Sequence, residues 1–200
     1  MARRALVPLV LLVLAAATAA VAVAATAPST KPVTKVDAKG DVNDSPLDLT
    51  RFTLQRAADG RLRATLTVAA TWDGKDLLSD TGPPGSLCVK AWTTTVPPDT
   101  TPDYLICVTA QKDGTLRSSI LRQRANKLPA RTGSAVLSRP NDRSVTLRFS
   151  QTALGKPATL YAAAETTRPG CPRGSCIDLA PDAPDTLSLK LRTPTATPGT

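Results

Sequence analysis

A short acidic stretch, residues 37–48, carries the side chains of this sequence that are best suited to chemistry. It holds four carboxylates within twelve positions of a chain whose formal net charge is +9. Its oxygen-bearing side chains are Asp37, Asp41, Asn43, Asp44 and Asp48. Calcium takes about six to eight oxygen ligands from such groups and from backbone carbonyls. The stretch is therefore a candidate calcium site, to which Asp178 and Asp182 would add ligands if the last strand returns beside the first.

The same stretch also fits a turn that binds no metal. Gly, Asn, Asp and Pro favour turns because they tolerate positive φ, fix φ, or hydrogen-bond to their own backbone. The spacing differs from an EF-hand loop, since the central glycine is missing and Phe52 stands where the bidentate glutamate belongs. A calcium site and an acidic turn between the first two strands both stay open.

The lack of histidine and the scarcity of glutamate narrow the range of enzyme mechanisms that are open to this chain. The chain contains no histidine, and its only glutamate is Glu165. Histidine-dependent triads and histidine-ligated zinc sites are thereby excluded. A hydrolase that uses two aspartates remains an alternative, although the sequence singles out no such pair. We therefore expect a non-catalytic binding or structural module.

Trp92 is the candidate ligand-binding residue among six aromatics. Its strand parity turns it away from the core, so its ring could stack on a sugar, as in a carbohydrate-binding module. The alternative is that a long loop covers the ring and buries its apolar area. Trp72 has the inward parity of its strand and is predicted to lie in the core.

The four cysteines predict two disulfides, because paired cysteines are typical of exported domains. Cys171 and Cys176 are close enough in sequence to close a tight loop. Cys88 and Cys107 would face each other across a hairpin in the symmetric register. A zinc site is the weaker interpretation, because the C-x2-C spacing of zinc knuckles is absent.

The N-terminus predicts export. Arg3 and Arg4 precede an apolar run that ends in the small residues 22–24, as in a secretory signal cleaved after Ala24. The alternative is an uncleaved membrane anchor, the only membrane contact that we expect. The predicted organisation is a signal at 1–24, a spacer at 25–32, the folded domain at 33–192 and a disordered tail at 193–200. The protein is expected outside the cell or at the cell envelope.

The basic residues are scattered singly along the chain, which predicts an ordinary solvated surface. The partners that we expect are anionic cell-envelope polymers or glycans, to which such a surface would be weakly attracted. Nucleic acid is not expected, because no recognition motif is present. We expect a monomer.

Alternating apolar and polar residues predict the fold. The clearest run is residues 61–72, where Leu and Ala alternate with Arg and Thr. Asp-Gly turns at 59–60, 73–74 and 113–114 separate such runs. About nine or ten short strands, with no helical apolar period after the signal, predict an all-β, antiparallel β-sandwich of jelly-roll or immunoglobulin-like type.

Several short motifs carry a resemblance to a known group. They are Asp37-x-x-Gly40-Asp41, Asp48-Leu49, Asp103-Tyr104, the Asp113-Gly114 turn and the run from Asp178 to Asp182. Together they resemble secreted bacterial β-sandwich domains related to family 9 carbohydrate-binding and DOMON-like folds, over about residues 31–192. The resemblance implies a jelly-roll-like sandwich, often stabilised by calcium and sometimes binding sugar.

Overall fold

The predicted β-sandwich is confirmed. A computed structural model describes residues 31–40, 45–94, 101–171 and 176–191. Within these ranges, twelve antiparallel strands form one sheet of five strands and one of seven. Residues 1–30, which include the predicted signal, and the whole predicted tail at 193–200 lie outside the described residues. No helix in the described part is long and apolar enough to cross a membrane.

The five-stranded sheet is built mainly from the N-terminal strands. Its strands are β1 (Val33–Val36), β2 (Leu49–Arg56), β3 (Leu62–Val68), β8 (Val136–Asn141) and β9 (Ser144–Phe149). Their order across the sheet is β1-β2-β3-β9-β8. β9 therefore pairs with β3, although about 75 residues separate them along the chain.

The seven-stranded sheet covers the other side of the core. Its strands are β4 (Ser86–Trp92), β5 (Tyr104–Ala110), β6 (Leu116–Arg124), β7 (Lys127–Gly133), β10 (Thr159–Thr167), β11 (Ile177–Ala180) and β12 (Leu187–Lys190). The order is β11-β10-β4-β5-β6-β7, and β12 pairs with the first half of β10 while β11 pairs with its second half. Short 3₁₀ helices occupy Gly74–Leu77 and Gln151–Leu154.

Period-two alternation produces the core. In β2 and β3, the inward side chains of Phe52, Leu54 and Leu66 are fully buried. They meet Ile106 and other inward residues of the opposite sheet in a single apolar cluster. Burying a side chain of this size contributes about 1.5–3 kcal/mol, so the alternation alone strongly favours this arrangement. Trp72 also lies in this cluster, as predicted.

Two strands were missed by the sequence prediction, which expected nine or ten. The segment interpreted as a basic loop contains β7, whose Leu-Pro-Ala sequence lacks alternation. Pro129 is tolerated there because β7 lies at an edge and pairs on only one side. β11 was missed because it has only four residues and directly follows the Cys171–Cys176 loop.

Both predicted disulfides are present: Cys88 pairs with Cys107, and Cys171 pairs with Cys176. In the first pair the two residues are direct partners in the β4–β5 register. The symmetric register predicted from the sequence is thus confirmed. Disulfides of this kind are typical of oxidising compartments.

We expect the Cys88–Cys107 bridge to stabilise the fold more than Cys171–Cys176. Its sequence separation is 19 residues against 5. The chain-entropy estimate is about 3 kcal/mol for the longer loop and about 2 kcal/mol for the shorter one. Calorimetric melting of the two double Cys→Ala variants measures this difference. Equal losses would show that the loop-entropy argument does not apply.

Candidate functional site

The outer surface of the five-stranded sheet carries rows of hydroxyl groups. One row crosses all five strands through successive register partners. Its residues are Thr34, Thr53, Thr65, Thr146 and Ser138. The hydroxyls of Thr34 and Thr53 lie 3.0 Å apart, and those of Thr65 and Thr146 lie 2.9 Å apart. Thr34 and Ser138 are exposed, Thr53 and Thr65 are half-buried, and Thr146 is buried. The exposed and half-buried hydroxyls can accept further hydrogen bonds, so they remain able to bind a polar ligand.

A second row lies alongside the first. It runs through Val36, Arg51, Thr67, Ser144 and Asn141. The hydroxyls of Thr67 and Ser144 lie 3.0 Å apart. We call the surface formed by these rows, together with the arginines described next, the hydroxyl face.

Three arginines border the hydroxyls on this face. Arg51 stands in the second row, while Arg63 and Arg148 are direct partners across β3 and β9 in a third row. Like charges placed directly opposite each other destabilise a sheet. A bound anion between Arg63 and Arg148 would relieve this repulsion.

One carboxylate already engages Arg148. The guanidinium of Arg148 donates to Asp59, which lies in the β2–β3 turn. The backbone N–H of Arg61 donates to the Asp59 carboxylate and lowers its pKa below the ordinary value, and the hydrogen bond from Arg148 acts in the same direction. Asp59 is therefore ionised at neutral pH and occupies Arg148.

The other guanidiniums of the face have no such partner. Among the described residues, Arg51 and Arg63 form no ion pair and no side-chain hydrogen bond, and the Nε of Arg63 is buried without a partner. Lys39 and Arg143 lie at the margin and likewise form no ion pair with any residue that the structure describes. Guanidinium groups bind carboxylates and phosphates through two parallel hydrogen bonds. The face is thus chemically suited to anions.

Two shallow depressions on this face adjoin each other. They have volumes of about 330 and 400 Å³. Both are lined by Arg51, Thr67 and Asn141, so they form one continuous surface. Small-molecule sites are usually enclosed and mostly apolar. An open, polar surface is better suited to an extended ligand.

The acidic stretch lies at one end of the sandwich, and the structure describes part of it. Asp41, Asn43 and Asp44 lie outside the described residues. Asp37 lines the edge of the second depression, and Asp182 is exposed. Asp48 and Asp178 are each only 3% exposed. β11, which carries Asp178, lies against β2, and the last strand β12 lies against β1. Whether these carboxylates join in a metal site stays a prediction.

Both buried carboxylates accept hydrogen bonds from the backbone. Asp48 Oδ2 accepts from the N–H of Gly40 at 2.9 Å, and Asp178 Oδ2 accepts from the N–H of Leu49. Thr166 Oγ1 donates to the carbonyl of Leu47 at 2.7 Å. Because Asp178 and Thr166 belong to the seven-stranded sheet, these bonds fasten the start of β2 to the opposite sheet.

The calcium interpretation is not tested by this geometry. In the parts of the chain that the structure describes, no group of three or more acidic, Cys or His side chains could hold a metal ion. Asp48 and Asp178 each accept a hydrogen bond from a backbone N–H. Calcium binding, with Asp41, Asn43 and Asp44 as added ligands, stays a prediction.

Trp92 lies on the outer side of the seven-stranded sheet, as its parity predicts. Its side chain is only 8% exposed. Tyr161 is its register partner on β10, and Lys90 Nζ lies 6.0 Å from the centre of its ring. Lys90 also pairs with Glu165 at 3.2 Å. Little of the ring is available to a sugar, and stacking at Trp92 stays a prediction.

Comparisons with known proteins give no assignment: no protein-family model, no curated protein and no solved structure matches this chain. The resemblance to family 9 carbohydrate-binding and DOMON-like folds therefore stays a prediction. The site has to be judged from its own chemistry.

Sequence reasoning missed the hydroxyl face. A signal was present, because the outward positions of β2, β3 and β9 are almost all Thr, Ser, Gln or Arg. The arginines look scattered along the chain, and only the pairing of β3 with β9 brings Arg63 beside Arg148.

We expect Asp178→Ala to destabilise the protein, because it removes the buried side-chain acceptor of the Leu49 N–H. The expected loss is about 1.5–3 kcal/mol in the free energy of unfolding. Asp182→Ala is the matched control, since Asp182 is exposed and should change stability little. Thermal and urea denaturation of both variants measures the difference.

The same melts, repeated with calcium and with a chelator, test the metal prediction separately. Binding to the folded state stabilises it by about 2.7 kcal/mol at a hundredfold excess over the dissociation constant. If the melts superimpose in calcium and chelator, the acidic stretch acts only through its hydrogen bonds.

Proposed function

We propose that the chain is an exported, non-catalytic β-sandwich module that binds an anionic polymer of the cell envelope through the hydroxyl face. The observation that carries this proposal is that the guanidiniums of Arg51 and Arg63, which form no ion pair within the described ranges, lie among rows of hydroxyls on one open surface. Carboxylates and phosphates are the groups that such donors bind best.

Export is supported by two independent features. The N-terminal residues follow the pattern of a secretory signal, with a basic start, an apolar run and small residues at 22–24. The two disulfides are typical of proteins that fold in an oxidising compartment. A protein with both features meets envelope polymers rather than cytoplasmic anions.

A polymer is favoured over a small anion by the shape of the face. The two depressions join into one open surface that crosses the whole five-stranded sheet. The net charge of +9, or +7 after removal of Arg3 and Arg4 with the signal, attracts polyanions over a longer range. The rows of Thr and Ser then supply short-range hydrogen bonds to the repeating units.

The proposal is tested with two soluble polyanions and one neutral polymer. Poly-L-glutamate presents carboxylates, polyphosphate presents phosphates, and dextran presents neither. We expect the protein to bind at least one polyanion and not dextran, as measured by isothermal titration calorimetry. Binding to dextran alone would instead favour a carbohydrate-binding module.

The double variant Arg51→Gln/Arg63→Gln should weaken polyanion binding about tenfold for each arginine, because each loses a charge-assisted hydrogen bond. Lys156→Gln/Lys190→Gln removes the same charge from exposed positions elsewhere and is the matched control. A loss of affinity by the first variant alone supports the site. Equal losses in both would mean that only net charge matters.

Asp59→Asn should act in the opposite direction. This variant removes the carboxylate that engages Arg148, so we expect polyanion affinity to rise by up to about fivefold, as for other exposed ion pairs. Asp113→Asn is the control, because Asp113 is also a turn carboxylate but lies in another turn. Its pKa is lowered as well, chiefly by the hydrogen bond from the backbone N–H of Thr115. A rise with both variants would indicate a net-charge effect.

A further inference from the structure

The β6–β7 hairpin is a second concentration of positive charge, separate from the hydroxyl face. From Gly114 to Asn141 the sequence contains six cations and no carboxylate. The cations are Arg117, Arg122, Arg124, Lys127, Arg131 and Arg139. In the described part of the chain, none of these six forms an ion pair. Four of them, at positions 122, 124, 127 and 131, are exposed around the end of the hairpin.

The end of this hairpin has a defined geometry. β6 ends at Arg124 and β7 begins at its register partner Lys127, so Ala125 and Asn126 form a two-residue turn, with Asn126 at a φ of 55°. The guanidinium of Arg124 donates to the carbonyl of Leu128, with Nε at 3.0 Å and Nη2 at 2.6 Å. Arg124 thereby holds the backbone at Leu128 in place.

Leu128 projects from this structure into solvent. It is 83% exposed, more than any other large hydrophobic residue in the described ranges. Pro129, which follows it, is exposed as well. We call Leu128 and the four surrounding cations the hairpin tip.

Among the described residues, Asp103 lies at the base of the hairpin, and its carboxylate forms no ion pair with the tip. The backbone of Asp103 accepts from the N–H of Gln123 at the base of the hairpin. Its carboxylate is engaged elsewhere, since it accepts from both the N–H and the hydroxyl of Thr93 at 2.7 Å. In the part of the chain that the structure describes, no carboxylate pairs with the cations of the tip.

We propose that the hairpin tip docks the protein onto a lipid bilayer that carries anionic phosphate headgroups. The tip combines an apolar side chain at its centre with cations around it. A soluble polyanion would satisfy the cations but would leave Leu128 in water. A bilayer offers phosphates at its surface and hydrocarbon beneath them, so it satisfies both features at once.

In this arrangement each part of the tip has one role. Leu128 enters the boundary between headgroups and acyl chains. Arg122, Lys127 and Arg131 contact lipid phosphates, while Arg124 keeps the turn rigid through the Leu128 carbonyl. The hydroxyl face belongs to the other sheet, so membrane docking and polymer binding use different residues.

Vesicle flotation with the exported chain tests this proposal. The vesicles contain either phosphatidylcholine alone or equal parts of phosphatidylcholine and phosphatidylglycerol. All variants are compared in the same N-terminal form, so any contribution of the apolar N-terminal segment is the same throughout. We expect binding to the anionic vesicles and little binding to the neutral ones.

Two variants examine the two parts of the tip. Leu128→Gln should weaken binding to anionic vesicles by about tenfold or more, as expected for loss of one buried leucine. Its matched control is Ile177→Gln, which removes another exposed apolar side chain, 39% exposed, from β11.

Lys127→Gln/Arg131→Gln should also weaken binding by about tenfold or more. The charge-matched control Lys156→Gln/Lys190→Gln should bind like the unaltered chain.

Insertion is measured directly with Leu128→Trp, which keeps an apolar tip. Its additional fluorescence should be quenched by brominated acyl chains in anionic vesicles. The proposal is overturned if Leu128→Gln binds as well as the unaltered chain, if neutral vesicles bind equally, or if the Trp variant shows no quenching. Polyphosphate binding that Arg51→Gln/Arg63→Gln abolishes, with vesicle binding intact, would show that the two surfaces act independently.

Discussion

The register of β2, β3 and β9 is the constraint on which the rest of this structure depends. Because side chains alternate between the two sides of a strand, one register decides both what is buried and what is displayed. It places Phe52, Leu54 and Leu66 in the core and, at the same time, aligns the hydroxyls and guanidiniums in rows outside. A slip of one residue would expose the core residues and bury Arg63. The large apolar area of the core therefore stabilises the hydroxyl face indirectly.

The two sheets are joined by polar bonds as well as by apolar packing. Asp178 and Thr166 of the seven-stranded sheet bind the backbone at Leu49 and Leu47, where the chain enters β2. Buried hydrogen bonds to a carboxylate are directional, whereas apolar contacts are not. They can therefore fix the position of the first strands of the face relative to the opposite sheet. The acidic stretch has its own structural role, because Asp48 accepts from the N–H of Gly40 and the Leu47 carbonyl accepts from Thr166.

Positive charge is divided between two surfaces of different chemistry. On the hydroxyl face, Arg51 and Arg63 lie among hydroxyls on an open, polar sheet, which suits an extended anionic chain. At the hairpin tip, cations surround the exposed Leu128, which suits a surface with hydrocarbon below its phosphates. A protein with these two surfaces could hold an anionic polymer close to a membrane.

The sequence by itself determined the fold class, the disulfide pairing and the inward or outward direction of most side chains. These properties follow from local patterns: alternation over a few residues, Asp-Gly turns, and a hairpin short enough for its register to align Cys88 with Cys107. The sequence did not predict β7, because an edge strand can carry Pro129 and needs no apolar alternation. Only the tertiary structure decided that Arg63 lies beside Arg148 and that Asp178 reaches Leu49. The partners in the first contact are separated by 85 positions along the chain, and those in the second by 129. The local sequence around each residue does not specify such a distant partner, because the partner is set by the packing of the whole sandwich.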